Sequence, residues 1–197
     1  MDFNKNYKGS YIFSEVLSSI SKNTPTTEIN SFPSLDFLEK KNSTINSFNN
    51  IDFYCLIDIQ KEGNFILEKD ISLNIGFEKN SINKIIDHID EGALRIDAEM
   101  DKAFTEFHIN HHLAPLDMVL SNINPMVNNK GEKFYLKRTI CILSNDQSGI
   151  PLFGFCAITV IDIANEVFDP KNFTLNFTTP NIELERELRE MISKSIN

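Results

Sequence analysis

The chain has 197 residues, 41% of them hydrophobic and 24% charged, enough for one packed domain with extensions or one domain and part of a second. Lysine and arginine number 19 against 28 acidic residues, a formal charge of −9. That balance lacks the basic surface phosphate contacts need, so no direct nucleic-acid binding by this chain is expected. No run approaches the ~20 apolar residues of a membrane span, and no basic segment followed by an apolar run opens the chain, so a cytoplasmic setting with no membrane contact is expected.

Residues 1–9 are polar. Residues 11–20 (YIFSEVLSSI) then place Ile12, Val16 and Ile20 at helical spacing with Phe13 and Leu17 beside them, which predicts an amphipathic helix. Residues 22–28, with Pro25 among threonines, read as a linker, and Ser34 is a candidate N-cap for a short helix over 34–39. Residues 44–50 lead into the stretch around which the rest is organised, 51–77 (IDFYCLIDIQKEGNFILEKDISLNIGF). Its aromatic and β-branched run 52–59 and the shorter run 65–67 flank Lys61-Glu62-Gly63-Asn64, which predicts a hairpin. After Asp70 the period changes. Ile71, Leu73 and Ile75 fit a turn or two of helix closed by Gly76-Phe77.

Residues 81–89 carry Ile82, Ile85, Ile86 and Ile89 at i, i+3, i+4 and i+7, one stripe facing inward. A longer helix is predicted from Ala93 to about His108, with Leu94, Ala98, Met100, Phe104 and Phe107 apolar and Arg95, Asp97, Glu99, Asp101 and Lys102 on the wet side. Pro115 ends it. Three strand-like runs follow: 116–127, which Pro125 assigns to a sheet edge or a break; 132–143, after the turn Asn128-Asn129-Lys130-Gly131; and 150–163, after Asn145-Asp146-Gln147-Ser148-Gly149. Turns this short make consecutive strands antiparallel neighbours. Residues 173–177 (FTLNF) alternate as a half-buried edge strand does, and Thr179-Pro180 reads as a helix start. The helix that follows has Leu184, Leu188, Met191 and Ile192 on one side and looks like a connector.

Two strands, several short helices and three strands joined by glycine turns is the order of PAS domains, and particular residues resemble that family. The run FYCLIDIQKEGNFILEKDISLNIGF resembles its opening, with an acidic strand end and a glycine–aromatic helix closure at Gly76-Phe77. His88-Ile89-Asp90-Glu91 resembles the His-Pro-Asp-Asp signature, with isoleucine in place of proline. Asn128-Asn129-Lys130-Gly131-Glu132 resembles the turn before the penultimate strand, and Val160-Ile161-Asp162-Ile163-Ala164 the closing strand. The resemblance covers residues 50–165. The helical lead-in and the strand after Asp162-Ile163 look like the PAS subtype that precedes LuxR-type helix-turn-helix domains in bacterial transcription regulators. It implies an α+β fold: a five-stranded antiparallel sheet with short helices on one face, a helical extension at 1–49, and an extra strand and connector helix at 166–197.

Candidate chemistry is sparse. His108, His111 and His112 would share a face within metal-ligand reach if a helix ran through them; otherwise they are a solvated helix end before Pro115. His88 fits a local cap better than a haem ligand. Cysteinyl-flavin photochemistry would need a cysteine on the helix after the opening hairpin, and none lies between Cys55 and Cys141. Asp87, His88, Asp90 and Glu91 offer an acid–base cluster, yet adjacent residues point apart, and no nucleophile elbow, P-loop or dinucleotide fingerprint is present. Cys55, Cys141 and Cys156, an odd set without close spacing, read as buried reduced thiols.

The expectation is therefore a non-enzymatic sensory domain, with no metal and no cofactor assigned. Its apolar ligand pocket would lie between Ile75, Ile82, Ile85, Ile86 and Ile89 on the helices and Phe155, Ala157 and Thr159 on the sheet. Ile12, Val16 and Ile20 with Leu184, Leu188 and Met191 are the expected homodimer interface. A ligand-free dimerisation module is the alternative, and a metal or haem sensor or a small enzyme the third reading.

Overall fold

Alternating side chains in the long runs after Pro115 build one antiparallel sheet, seen in a computed structural model that describes residues 40–41, 47–48, 51–60, 64–69, 91–128, 130–161 and 167–197. Of residues 53, 55 and 64–69 only the backbone is described. The elements are β1 (Phe53–Asp58), β2 (Asn64–Lys69), α1 (Glu91–Asn110), β3 (Met118–Val127), β4 (Lys133–Asn145), β5 (Pro151–Ile161), β6 (Phe173–Phe177) and α2 (Ile182–Ile196). The strand order is β2-β1-β5-β4-β3-β6. The five antiparallel strands expected from the PAS-like pattern are all present, and β6 extends the sheet beyond β3. The helices predicted over 11–20, 34–39 and 81–89, and the turn closed by Gly76, lie outside the described residues.

Strand ends and turns follow from local chemistry. β6 pairs with β3 only from Met118 to Asn122, so Pro125 sits where β3 is bonded to β4 alone and its missing N–H costs no ladder bond on the β6 side. The turns β3–β4 and β4–β5 share one design. Asn128 Oδ1 accepts from the N–H groups of Lys130 and Glu132 at 2.9 and 3.0 Å, and Asp146 Oδ1 accepts from those of Ser148 and Ile150 at 2.8 and 2.9 Å. Three residues after each acceptor a glycine takes a positive φ, 80° at Gly131 and 87° at Gly149. The Ser148 hydroxyl also donates to Asp146 Oδ1 at 2.7 Å, and that bond does most, ahead of the Ile150 N–H, to hold the exposed Asp146 carboxyl below its usual value.

The core has two halves because β4 and β5 are apolar on both faces. One half holds Met118, Leu120, Phe134, Leu136, Ile140, Ile142, Cys156 and Ile158 against Met100, Phe104 and Phe107 of α1 and Leu188 and Ile192 of α2. The other holds Val119, Cys141, Leu143, Phe153, Phe155 and Ala157 with Tyr54 and Leu56 of β1 and with Phe48 and Ile51 just ahead of it. Phe48 meets Phe155 edge-on, ring centroids 5.2 Å apart. Cys141 and Cys156 are free and buried on opposite faces, and burial pushes the Cys141 thiol well above its ordinary value.

Three expectations change. Pro180 does not open α2. Asn181 caps it, accepting from the N–H groups of Glu183 and Leu184, and helix begins at Ile182. The apolar stripe Leu184, Leu188 and Met191, expected at a homodimer interface, is covered within the chain: Leu188 is fully buried and the other two pack half-buried on the same cluster. On α1, Asp97 is buried although the sequence pattern puts it on the wet side, while Leu94 and Ala98 are exposed. Among the described residues no helix is long and apolar enough to cross a membrane.

A β-carbon on Gly131 or Gly149 would meet nothing within 4 Å, so backbone strain is the whole penalty of adding one. We expect Gly131→Ala and Gly149→Ala each to lower unfolding free energy by about 1–2 kcal/mol, with asparagine costing less at either position. Urea denaturation reads this; unchanged midpoints for both alanine variants would refute the turn assignment.

Candidate functional site

Alternation along β3 and β4 puts three polar residues in an otherwise apolar register. Asn122 and Asn124 interrupt Met118, Leu120 and Met126, and Arg138 interrupts Phe134, Leu136, Ile140 and Ile142. On α1, Asp97 and Asp101 stand one turn apart beside Met100 and Phe104. These five residues meet between helix and sheet. Asn122 donates to Asp97 Oδ1, and Asn124 Nδ2 donates to Asp97 Oδ2 at 2.6 Å. Arg138 Nη1 donates to Asp101 Oδ2 at 2.6 Å, its Nε donates to Asn122 Oδ1 at 3.2 Å, and its Nη2 lies 3.2 Å from Asp97 Oδ1. Burial by itself would lower the Arg138 guanidinium, but the neighbouring Asp101 and Asp97 carboxylates raise it above its ordinary value. It stays charged. Burial raises the Asp101 carboxyl from its ordinary value, against the opposing pull of Arg138.

Beside this network lies a cleft of about 490 Å³, within the roughly 300–1,000 Å³ typical of small-molecule sites. Its apolar wall is Ile57 of β1 with Ile59 just past it, Ile140 and Ile142 of β4, and Phe104 of α1; Gly154 of β5 lies on its floor. Asp101, Lys102, Thr105 and Glu106 along α1 supply its polar side. A β-carbon on Gly154 would sit 3.5 Å from Ile59 Cδ1, ordinary contact, so glycine here leaves space rather than avoiding a clash.

Of the expected pocket residues, Ile75, Ile82, Ile85, Ile86 and Ile89 lie outside the described residues. Phe155 borders the cleft, but its ring packs on the opposite face with Phe48 and Tyr54. Ala157 belongs to that opposite half as well, and Thr159 follows it by strand alternation. The sheet surface facing α1 carries Ile140, Ile142, Cys156 and Ile158 instead. Of the expected interface residues, Ile12, Val16 and Ile20 also lie outside the described residues, as do Asp87, His88 and Asp90.

The three remaining histidines go to three places. Helix α1 stops at Asn110 in a Schellman motif: Leu113 N–H reaches His108 O, His112 N–H reaches Ile109 O, and His112 takes the left-handed position at φ 52°. That turn separates the rings. His111 stacks on Phe107 with centroids 4.1 Å apart and points Nε2 at Glu187 Oε1 of α2, 3.1 Å away; His112 is exposed. His108 is buried, with Nε2 3.2 Å from Asn145 Oδ1. Since Asn145 Nδ2 donates to Leu113 O, its Oδ1 faces the ring, and Nε2 carries the His108 proton. His108 Nδ1 is enclosed without a partner, and burial lowers the imidazole below its ordinary 6.5 against the opposing pull of Asn145 and Asp117.

No family model matches the chain, and no curated protein matches it. Among solved structures it is similar to the Rhodobacter sphaeroides LOV protein at 12% identity, over 80% of this chain and 94% of that one, with a TM-score of 0.37. A variant of RsLOV is similar at 10% identity, over 81% and 93%, also with a TM-score of 0.37. Superpositions this loose carry no chemistry from one protein to the other.

Two outcomes are expected. Arg138→Met leaves two carboxylates uncompensated between helix and sheet and should cost about 3–5 kcal/mol of stability, read by urea denaturation; a loss under 1 kcal/mol would refute the network's role. His108 is held neutral when folded, so its contribution is complete above the unfolded value near 6.5 and is lost as pH falls below it. His108→Gln should flatten the pH dependence of thermal stability below pH 6.5 relative to the parent. Parallel pH profiles would show that the ring titrates freely.

Proposed function

We propose that the chain is a sensory domain that binds a small, largely apolar molecule in the cleft between α1 and the sheet. The observation that carries this reading is the cleft itself: apolar on the β1, β4 and β5 side, polar along one edge of α1, and kept open by a glycine where a side chain would fit. His108 and His111 point to separate partners, Asn145 and Glu187, and the chain reverses at His112. Signal passage in this reading is a population shift: an occupant that favours one position of α1 favours one packing of α2 on it. The wider proposal is the input half of a bacterial cytoplasmic regulator of transcription, acting on an output domain through a homodimer. Its support is the order of motifs in the sequence.

Native mass spectrometry of the protein purified from its own cells tests both parts at once. We expect a bound mass of a few hundred daltons per chain and a two-chain assembly. Gly154→Leu should fill the cleft and abolish the bound mass while shifting the melting temperature by less than about 5 °C. A clean apo mass in the parent, together with failure of soaked apolar probes to bind, would leave only the interaction-module reading.

A further inference from the structure

Strand pairing brings two of the three cysteines to one place. β1 and β5 pair antiparallel in one unbroken register from Phe53 to Asp58, and Cys55 stands directly opposite Cys156. Opposed residues of an antiparallel pair share a face of the sheet, with Cα atoms about 4.5 or 5.5 Å apart according to the hydrogen-bond pattern. Both spacings fall inside the roughly 4.4–6.8 Å that a disulfide spans. The shared face is the one toward α1, where Cys156 is buried in one cluster with Ile140, Ile142 and Ile158. Cys141 belongs to the other face and stands opposite Phe155 in the β4–β5 ladder. The next register pair on the face toward α1 is Ile57 with Gly154. Both line the cleft, as does Ile140, the β4 partner of Cys156, so the cleft ends one register step from the two cysteines.

We propose that Cys55 and Cys156 are a reversible redox pair, oxidised by a peroxide to a disulfide that ties β1 to β5. One thiol sulfur takes an oxygen from hydrogen peroxide, becoming a sulfenic acid and releasing one water. The second thiol attacks that sulfur, its proton leaves with the hydroxyl as a second water, and the S–S bond forms. Two electrons pass from the sulfurs to the O–O bond of the peroxide, and a dithiol reductant reverses the change. Hydrogen peroxide is little larger than water, and the cleft brings it to Gly154, where no side chain covers the sheet. The bond locks the Ile57 wall of the cleft to its floor strand β5. The pairing follows from strand register and does not depend on what else the cleft binds.

The test is peptide mapping of the full 197-residue protein after hydrogen peroxide treatment in native buffer, with remaining thiols alkylated in urea before digestion. A protease that cuts at aspartate, here at Asp52, Asp58, Asp146 and Asp162, puts the three cysteines on three peptides. We expect one cross-linked species joining the Cys55 and Cys156 peptides, from protein that runs as a single chain on non-reducing electrophoresis, and its loss on treatment with dithiothreitol. Cys141 should be recovered alkylated, since burial pushes its thiol well above the ordinary value and suppresses the reactive thiolate. Cys141→Ser should leave the cross-link intact, and Cys156→Ser should abolish it. Should the Cys156 variant fail to fold, the map of the parent protein decides by itself. A link joining Cys141, a link between two chains, or no cross-linked peptide from the folded parent overturns the proposal. None of these outcomes bears on whether the cleft holds a small molecule.

Discussion

The structure depends on covering both faces of β4 and β5. Their residues are apolar in both registers: Ile140, Ile142, Cys156 and Ile158 on one side, Cys141, Leu143, Phe153, Phe155 and Ala157 on the other. A sheet like this cannot leave either face in water, since each buried large side chain is worth roughly 1.5–3 kcal/mol. One face takes α1 and α2. The other takes Tyr54 and Leu56 of β1 and the residues just before it, Phe48 and Ile51. That requirement explains why the C-terminal helix folds back onto α1 instead of projecting away, and why its apolar stripe is occupied within the chain.

Within the helix-covered face, the Asp97–Arg138–Asp101 network is the polar exception, and its value is positional. Sliding α1 by one turn along the sheet would still bury methionines and phenylalanines. It would also strip Asp97 of Asn122 and Asn124 and Arg138 of both carboxylates. Apolar packing tolerates such a shift far better than a buried charge does. The network therefore fixes where α1 sits, and with it the width of the cleft beside Phe104.

Strands were legible in the sequence to a useful degree and faces were not. The turns at Asn128 and Asp146, the edge strand FTLNF and the long helix expected from Ala93, which starts two residues earlier at Glu91, stand where residue pattern puts them, because turn chemistry and helical period are local properties. Phe155, Ala157 and Thr159, expected opposite the stripe at 82–89, take the register turned away from α1. In a strand apolar on both faces, alternation holds no information about which side meets a helix. Signals that would have decided it were available elsewhere: Arg138 in the register of Phe134, Leu136, Ile140 and Ile142, and Asp97 and Asp101 beside Met100 and Phe104. A charge in an apolar register calls for a countercharge, and those three residues supply each other's. Reading the aspartates as a solvated face hid the pairing.

The histidine run shows the complementary limit. Helical spacing alone would gather His108, His111 and His112, but the chain reverses at His112, and a reversal is set by the residues on both sides of it. Leu113 must close the Schellman turn, and Leu116 N–H must reach Ile142 O for β3 to start beside β4. Once the turn forms, His108 faces the core, and His111 bridges Phe107 to Glu187 of α2. The end of α1 is thus bound to α2 while its middle lines the cleft through Asp101 and Phe104. A helix spanning about 30 Å by its 20 residues, pinned at one end and contacted at the centre, transmits tilt rather than absorbing it. That geometry joins the cleft to the C-terminal helix through one rigid element, the mechanical link that a sensory reading of this fold requires.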